Sequence, residues 1–253
     1  MNQKQTTASY STSQIAKIVG LHPNTVRMYE EWDLIQKPQR KANGYRIFNN
    51  MHIKQFQLAR KALQIEIMQS GLRERIVAVV KLSAAYRFDE AIELAEEYIR
   101  IAQQETENAR DAVKLCEILF CQPMPEGIVY TRAQAAKLLD LTIDTIRHWE
   151  MNGLLTVKRR QNGYRVYDSN DINRLKIIRA LRCANYSLSA ILRMLNQYDN
   201  GMDENHILEI LNTPEHDEDI ISVCDKLIVS LEKAIQNALE VISMIAEIKQ
   251  MKK

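Results

Sequence analysis

Apolar residues fall at helical spacing along most of this chain, and the order of elements they predict occurs twice. Ile15, Ile18 and Val19 follow the capping-box pattern of Ser11 and Gln14, which predicts a short helix stopped by Gly20. Leu21 then anchors a turn, and His22 with Pro23 restarts a second helix over 24–32. Thr131 with Gln134, and Thr142 as a second N-cap, predict the same pair again. Apolar and aromatic residues flanking Asn43-Gly44 and Asn162-Gly163 predict a two-stranded hairpin in each copy. Helical pairs follow at about 51–67 with 72–82, and at 170–184 with 188–198. Each copy closes on a long amphipathic helix. In the second, Ile220, Cys224, Leu227, Leu231, Ala234, Ala238, Val241, Ile245 and Ile248 step by four and three, the spacing of a coiled-coil seam. In the first, Ala91, Ala95, Tyr98, Ala102, Ala109, Ala112, Cys116 and Leu119 keep that rhythm across the interruption at Glu105 and Thr106.

The duplication is also literal. Tyr10, Gln14, Ala16, Lys17, Leu21, Thr25, Arg27, Glu30 and Leu34 recur 120 residues later as Tyr130, Gln134, Ala136, Lys137, Leu141, Thr145, Arg147, Glu150 and Leu154. After a one-residue deletion, Asn43, Gly44, Tyr45, Arg46 and Ile53 recur as Asn162, Gly163, Tyr164, Arg165 and Ile172. The expected organisation is a disordered tail over 1–9, a first head over 10–82, a long helix over 83–121 and a linker over 122–129. A second head over 130–199 and an acidic connector with the second long helix over 200–253 complete it.

At 253 residues and 46% hydrophobic, the chain has room for two domains, each with a core. No stretch of about 18 apolar residues occurs, and residues 1–9 lack an apolar signal core, so no membrane association is expected and the cytoplasm is the expected location. Charge is segregated. Residues 1–60 carry nine Lys or Arg against three acids, and residues 130–182 eleven against five. Residues 83–120 carry four against nine, and residues 200–248 two against eleven. Basic heads on acidic stems imply a polyanionic partner. The hairpin tips offer Arg40 and Lys41, then Lys158, Arg159 and Arg160, to such a backbone. Cys116, Cys121, Cys183 and Cys224 show no metal-ligand spacing, so reduced, mostly buried thiols and no metal or cofactor are expected. The five His, at 22, 52, 148, 206 and 216, pair with no nucleophile, and no Gly-rich phosphate loop exists, which argues against an enzyme.

Thr25-Val26-Arg27-Met28-Tyr29-Glu30 and Thr145-Ile146-Arg147-His148-Trp149-Glu150 are each followed by Asn-Gly-Tyr-Arg, and the second copy adds Tyr186-Ser187-Leu188 with Ile191. In these words, and in the order of elements, the chain resembles the MerR family of bacterial transcription regulators. The first copy departs by reading Ser70-Gly71-Leu72, about two residues late, where an aromatic-Ser-Leu word is expected. Members of that family usually carry one module per chain and dimerise through the long helix in antiparallel fashion; no further domain is expected after Lys253 here.

The resemblance implies a mostly α fold, with two winged helix-turn-helix modules whose long helices pair as an antiparallel coiled coil. The chain is then a monomeric pseudo-dimer, with a homodimer as the competing arrangement. A helix of about 30 residues is roughly 45 Å long, and the link from Cys121 to Val129 reaches roughly 30 Å when extended, enough to join one helix end to the neighbouring head. By the same resemblance Asn24, Thr25, Arg27 and Met28, and Asp144, Thr145, Arg147 and His148, face the major groove. Arg27 and Arg147 carry the strongest expectation; the structural alternative is a tie to a carboxylate on their own helix. Tyr29 and Trp149 either touch phosphates or pack against the wing, and Tyr45, Arg46, Tyr164 and Arg165 are expected on phosphates. The implied function is a sequence-specific double-stranded DNA-binding regulator of a pseudo-palindromic operator, bending or untwisting promoter DNA for RNA polymerase. Repression by operator occupancy, or non-specific architectural binding, uses the same residues.

Overall fold

The computed structural model describes residues 9–64, 67, 69–122, 127–157, 165–201, 206–213 and 223–252. The expected tail, most of the linker, and the second hairpin tip with Lys158, Arg159, Arg160 and Tyr164 lie outside the described residues. The first copy runs α1 (Thr12–Val19), α2 (Pro23–Glu31), β1 (Gln39–Arg40), β2 (Arg46–Ile47), α3 (Asn50–Ala62), α4 (Leu72–Ala84) and α5 (Phe88–Cys121). The second runs α6 (Arg132–Leu138), α7 (Ile143–Met151), α8 (Ser169–Cys183), α9 (Leu188–Asp199), α10 (Ile207–Asn212) and α11 (Leu227–Lys252). The chain is thus mostly helical.

Helix starts follow the side chains that cap them. The Ser11 hydroxyl accepts from the Gln14 backbone while the Gln14 amide oxygen accepts from the Ser11 backbone, and Thr131 with Gln134 does the same. His22 caps α2 through its ring Nδ1, which accepts from Asn24 N at 3.2 Å, and Thr142 caps α7. Gly20 closes α1 at a φ of 64°, a left-handed conformation; Asp140 adopts it at 50° in the second copy.

The first hairpin pairs Gln39 with Ile47 and Arg40 with Arg46. Its Asn-Gly does not make a two-residue turn. Lys41 N donates to Tyr45 O and Gly44 N to Lys41 O, both at 2.8 Å, which makes a three-residue loop with Gly44 at φ 81°. Tyr10 bridges Phe48, as Tyr130 bridges Tyr167, so the residue before each helix pair is stitched to the segment that leads into α3 or α8.

The described residues form two compact units, one of residues 1–103 with 232–253 and one of residues 104–231. In the first, Ile15, Ala16, Val19, Val26, Ile35, Phe48 and Phe56 form the core of the head. Lys54 and Lys61 of α3 pair with Glu247 and Glu240 of α11 at 3.1 and 2.7 Å. Lys249 of α11 bonds Asp89 of α5, and Lys252 stands 3.5 Å over the Tyr86 ring. In the second unit Asn173 of α8 donates to the Leu119 carbonyl of α5, and Phe120 stacks on Tyr198 with centroids 3.7 Å apart.

Three expectations change. The acidic connector is not merely solvated: Ile207, Ile210 and Leu211 recur at helical spacing and are buried in α10, where the Ile210 carbonyl accepts from Arg193 at 3.0 Å. The stretch around Cys224, expected within the helical seam, is a 3-10 turn over Val223–Lys226, and the last helix runs over Leu227–Lys252. Of the described cysteines only Cys116 is buried, its thiol pushed up to about 12 by burial, while Cys121 and Cys183 are exposed.

Candidate nucleic-acid interface

Burial on α2 and α7 decides which side chains are available. Val26 and Ile146 point into their heads at 0% exposure. On the opposite face of these helices, Asn24 and Arg27, and Asp144, Arg147 and His148, are exposed; Met28, Thr25 and Thr145 are half-buried beside them. The face expected in the major groove is therefore solvent-facing in both copies. Arg27 has no tie to a carboxylate of its own helix: its Nη1 donates to Asn24 Oδ1 at 3.0 Å. Arg147 is exposed and pairs with no carboxylate among the described residues. Thr145 is held, its hydroxyl 2.7 Å from that of Thr142, and Asn152 Nδ2 lies 3.2 Å from His148 Nε2.

The two aromatics turn inward. Trp149 is buried at 5% exposure, and Tyr29 stacks on Phe56 at 5.6 Å between centroids. Both pack within their own heads, because helical spacing puts them next to the core stripe of their helices.

The hairpin arginines are engaged by glutamates of the second helices. Arg46 is bonded to Glu30 Oε2, and Arg40 Nη2 lies 3.3 Å from Glu30 Oε1. In the second copy Glu150 takes Arg165 at 3.0 Å, Arg132 at 2.6 Å and the Tyr167 hydroxyl. Both glutamate side chains are nearly buried, at 8% and 6%. A buried carboxylate needs cations and donors around it. Arg46, Arg40 and Arg165 thus first fasten the residues after α2 and α7 to those helices, and only their remaining N–H groups are left for an anion. Burial, with Glu150 as acceptor, pushes Tyr167 up to about 12, so it remains a donor. The glutamates were not among the expected site residues, although their recurrence beside a recurring arginine was the available signal. Tyr45, by contrast, is 71% exposed at the hairpin tip beside exposed Lys41, and is no packing residue.

Among the described residues no three His, Cys, Asp or Glu converge as a metal site, and no helix is long and apolar enough to cross a membrane.

Known proteins match the same segments. A family model described as MerR HTH family regulatory protein matches residues 10–72 and 130–198. The HTH-type transcriptional regulator CueR of Escherichia coli is 42% identical over 53 residues, which are 21% of this chain and 39% of that relative. A probable heavy metal-dependent transcriptional regulator of Haemophilus influenzae is 33% identical over 105 residues, 41% of this chain and 78% of that protein. A solved structure of HiNmlR, a MerR family regulator lacking the sensor domain and bound to promoter DNA, aligns over 49% of this chain at 24% identity with a TM-score of 0.30. The matching segments cover both heads, and the chain belongs to the MerR family of helix-turn-helix, DNA-binding transcription regulators.

Proposed function

We propose that this protein is a sequence-specific regulator that grips one operator with two unlike heads carried on a single chain. The observation that carries this reading is the duplicated, solvent-facing second-helix surface around Arg27 and Arg147, in segments the family model matches twice. Side chains reading base edges specify sequence, while Tyr45 and Lys41 at the hairpin tip bind phosphates. Asn24 corresponds to Asp144 in the repeat, and Met28 to His148, so the preferred operator is an imperfect palindrome. Pairing of the long helices within the chain is supported in the first unit by the tie of Lys249 on α11 to Asp89 on α5. Two heads on one stem can bend or untwist a promoter for RNA polymerase, a deformation costing of order 1 to 6 kcal/mol that phosphate contacts offset.

Selection of bound genomic fragments, followed by binding to selected and random duplexes across salt, tests the reading. Arg27→Ala and Arg147→Ala should each weaken binding by about 1 to 3 kcal/mol, each relaxing a different half-site. Equal affinity for selected and random duplex would refute sequence-specific regulation.

A further inference from the structure

The two copies share a helix, α3 and α8, but not what fills its flank. In the first unit Lys61 reaches Glu240 at 2.7 Å, and Gln64 lies 3.5 Å from Asn237. Their counterparts in α8 are Ala180 and Cys183. The shorter side chains open a groove of about 380 Å³ between α5, α6 and α8 of the second unit. Its floor is apolar, with Leu119 and Leu139 at 8% and 4% exposure, and Leu115 and Leu138 stand over it still 45% and 54% exposed.

The rim is cationic. Arg60 in the first copy folds onto the Val19 carbonyl, through space that Gly20 leaves open: a Cβ there would stand 3.3 Å from Arg60 Nη1. The second copy has Asp140 instead of Gly20, and its Arg179 lies at the groove, 4.0 Å from that 99% exposed carboxylate. Lys176, where the first copy has Gln57, adds a second cation with no carboxylate partner among the described residues.

We propose that this groove binds a small lipophilic carboxylate, its chain over Leu119 and Leu139 and its head group between Lys176 and Arg179. The volume falls within the range of small-molecule sites, about 300 to 1,000 Å³, and the charge of the rim selects an anion. Any effect of the ligand on DNA binding rests on the function proposed above; occupancy of the groove does not.

The exposed Cys183 at the groove reports occupancy directly. Full-length protein is alkylated with iodoacetamide in the presence of decanoate below its micelle concentration, and Cys183 and Cys121 are followed separately by peptide mass mapping. Decanoate at ten times its dissociation constant should slow Cys183 about tenfold while leaving the exposed Cys121 unchanged. Decylammonium should not protect. Ala180→Lys, which installs the first copy's side chain, should abolish protection, and Lys176→Gln, a surface change that leaves the fold intact, should weaken it severalfold. Absence of protection by decanoate, equal protection by decanol or decylammonium, or undiminished protection in Lys176→Gln overturns the proposal.

Discussion

Glu30 and Glu150 show how one residue sets the form of a head. Each is a nearly buried anion at the end of a second helix, and each gathers the arginine of the following strand region. Glu150→Gln keeps the shape but leaves Arg132 and Arg165 without their anion; denaturant unfolding should show a loss of about 2 kcal/mol. His52 gives a second test. Its Nδ1 accepts from Asn49 N at 3.1 Å in the capping box of α3, and burial, opposed by the Gln36 backbone and by Glu30, holds it below its ordinary 6.5. The unfolded chain then takes up a proton at higher pH than the folded one. The stability contributed by neutral His52 is complete above pH 6.5 and is lost as pH falls through the lowered folded value. A pH series of unfolding midpoints should therefore fall below 6.5, and the fall should shrink in His52→Gln, which puts at this position the residue that Gln14 and Gln134 supply in the boxes of α1 and α6.

At the scale of elements, the copies differ mainly at their joints. Ser187 caps α9 by accepting from Ala190 N at 2.9 Å and also donates to Asp225, whereas α4 begins at Gly71, at φ 67°, with no side-chain cap. Ser187→Ala should cost about 1 kcal/mol and raise hydrogen exchange in the first turn of α9. Gly44→Ala should cost about 1 to 2 kcal/mol because φ 81° strains a Cβ, with the loss confined to the hairpin amides. Capping boxes, helix periods and the Asn-Gly signal were legible because each depends on residues a few positions apart. The three-residue loop around Asn43 was not, since strand register selects the turn, and neither was α10, whose short apolar triplet is hidden in an acidic segment.

At the scale of the whole molecule, the basic heads and acidic stems of one chain make a concrete expectation. Free protein should sediment with the mass of one chain, and one chain should saturate one selected duplex; two chains per duplex would mean that the long helices pair between molecules. Binding should fall steeply with salt, with a logarithmic slope of about 0.9 per phosphate neutralised, and Lys41→Gln should reduce that slope by about one.

The sequence alone determined that two copies of one module exist, where the capped helices of each head start, and which residues lie on the exposed face of each second helix. Caps, glycine stops and apolar spacing act locally, and comparison of the copies needed no folding. Only the tertiary structure decided that Arg46 and Arg165 are drawn to buried glutamates, that Tyr29 and Trp149 pack inward, and that Ala180 leaves a groove where Lys61 is paired. Those outcomes depend on which charge is desolvated beside which, across residues far apart in the chain, and linear spacing does not carry that distance.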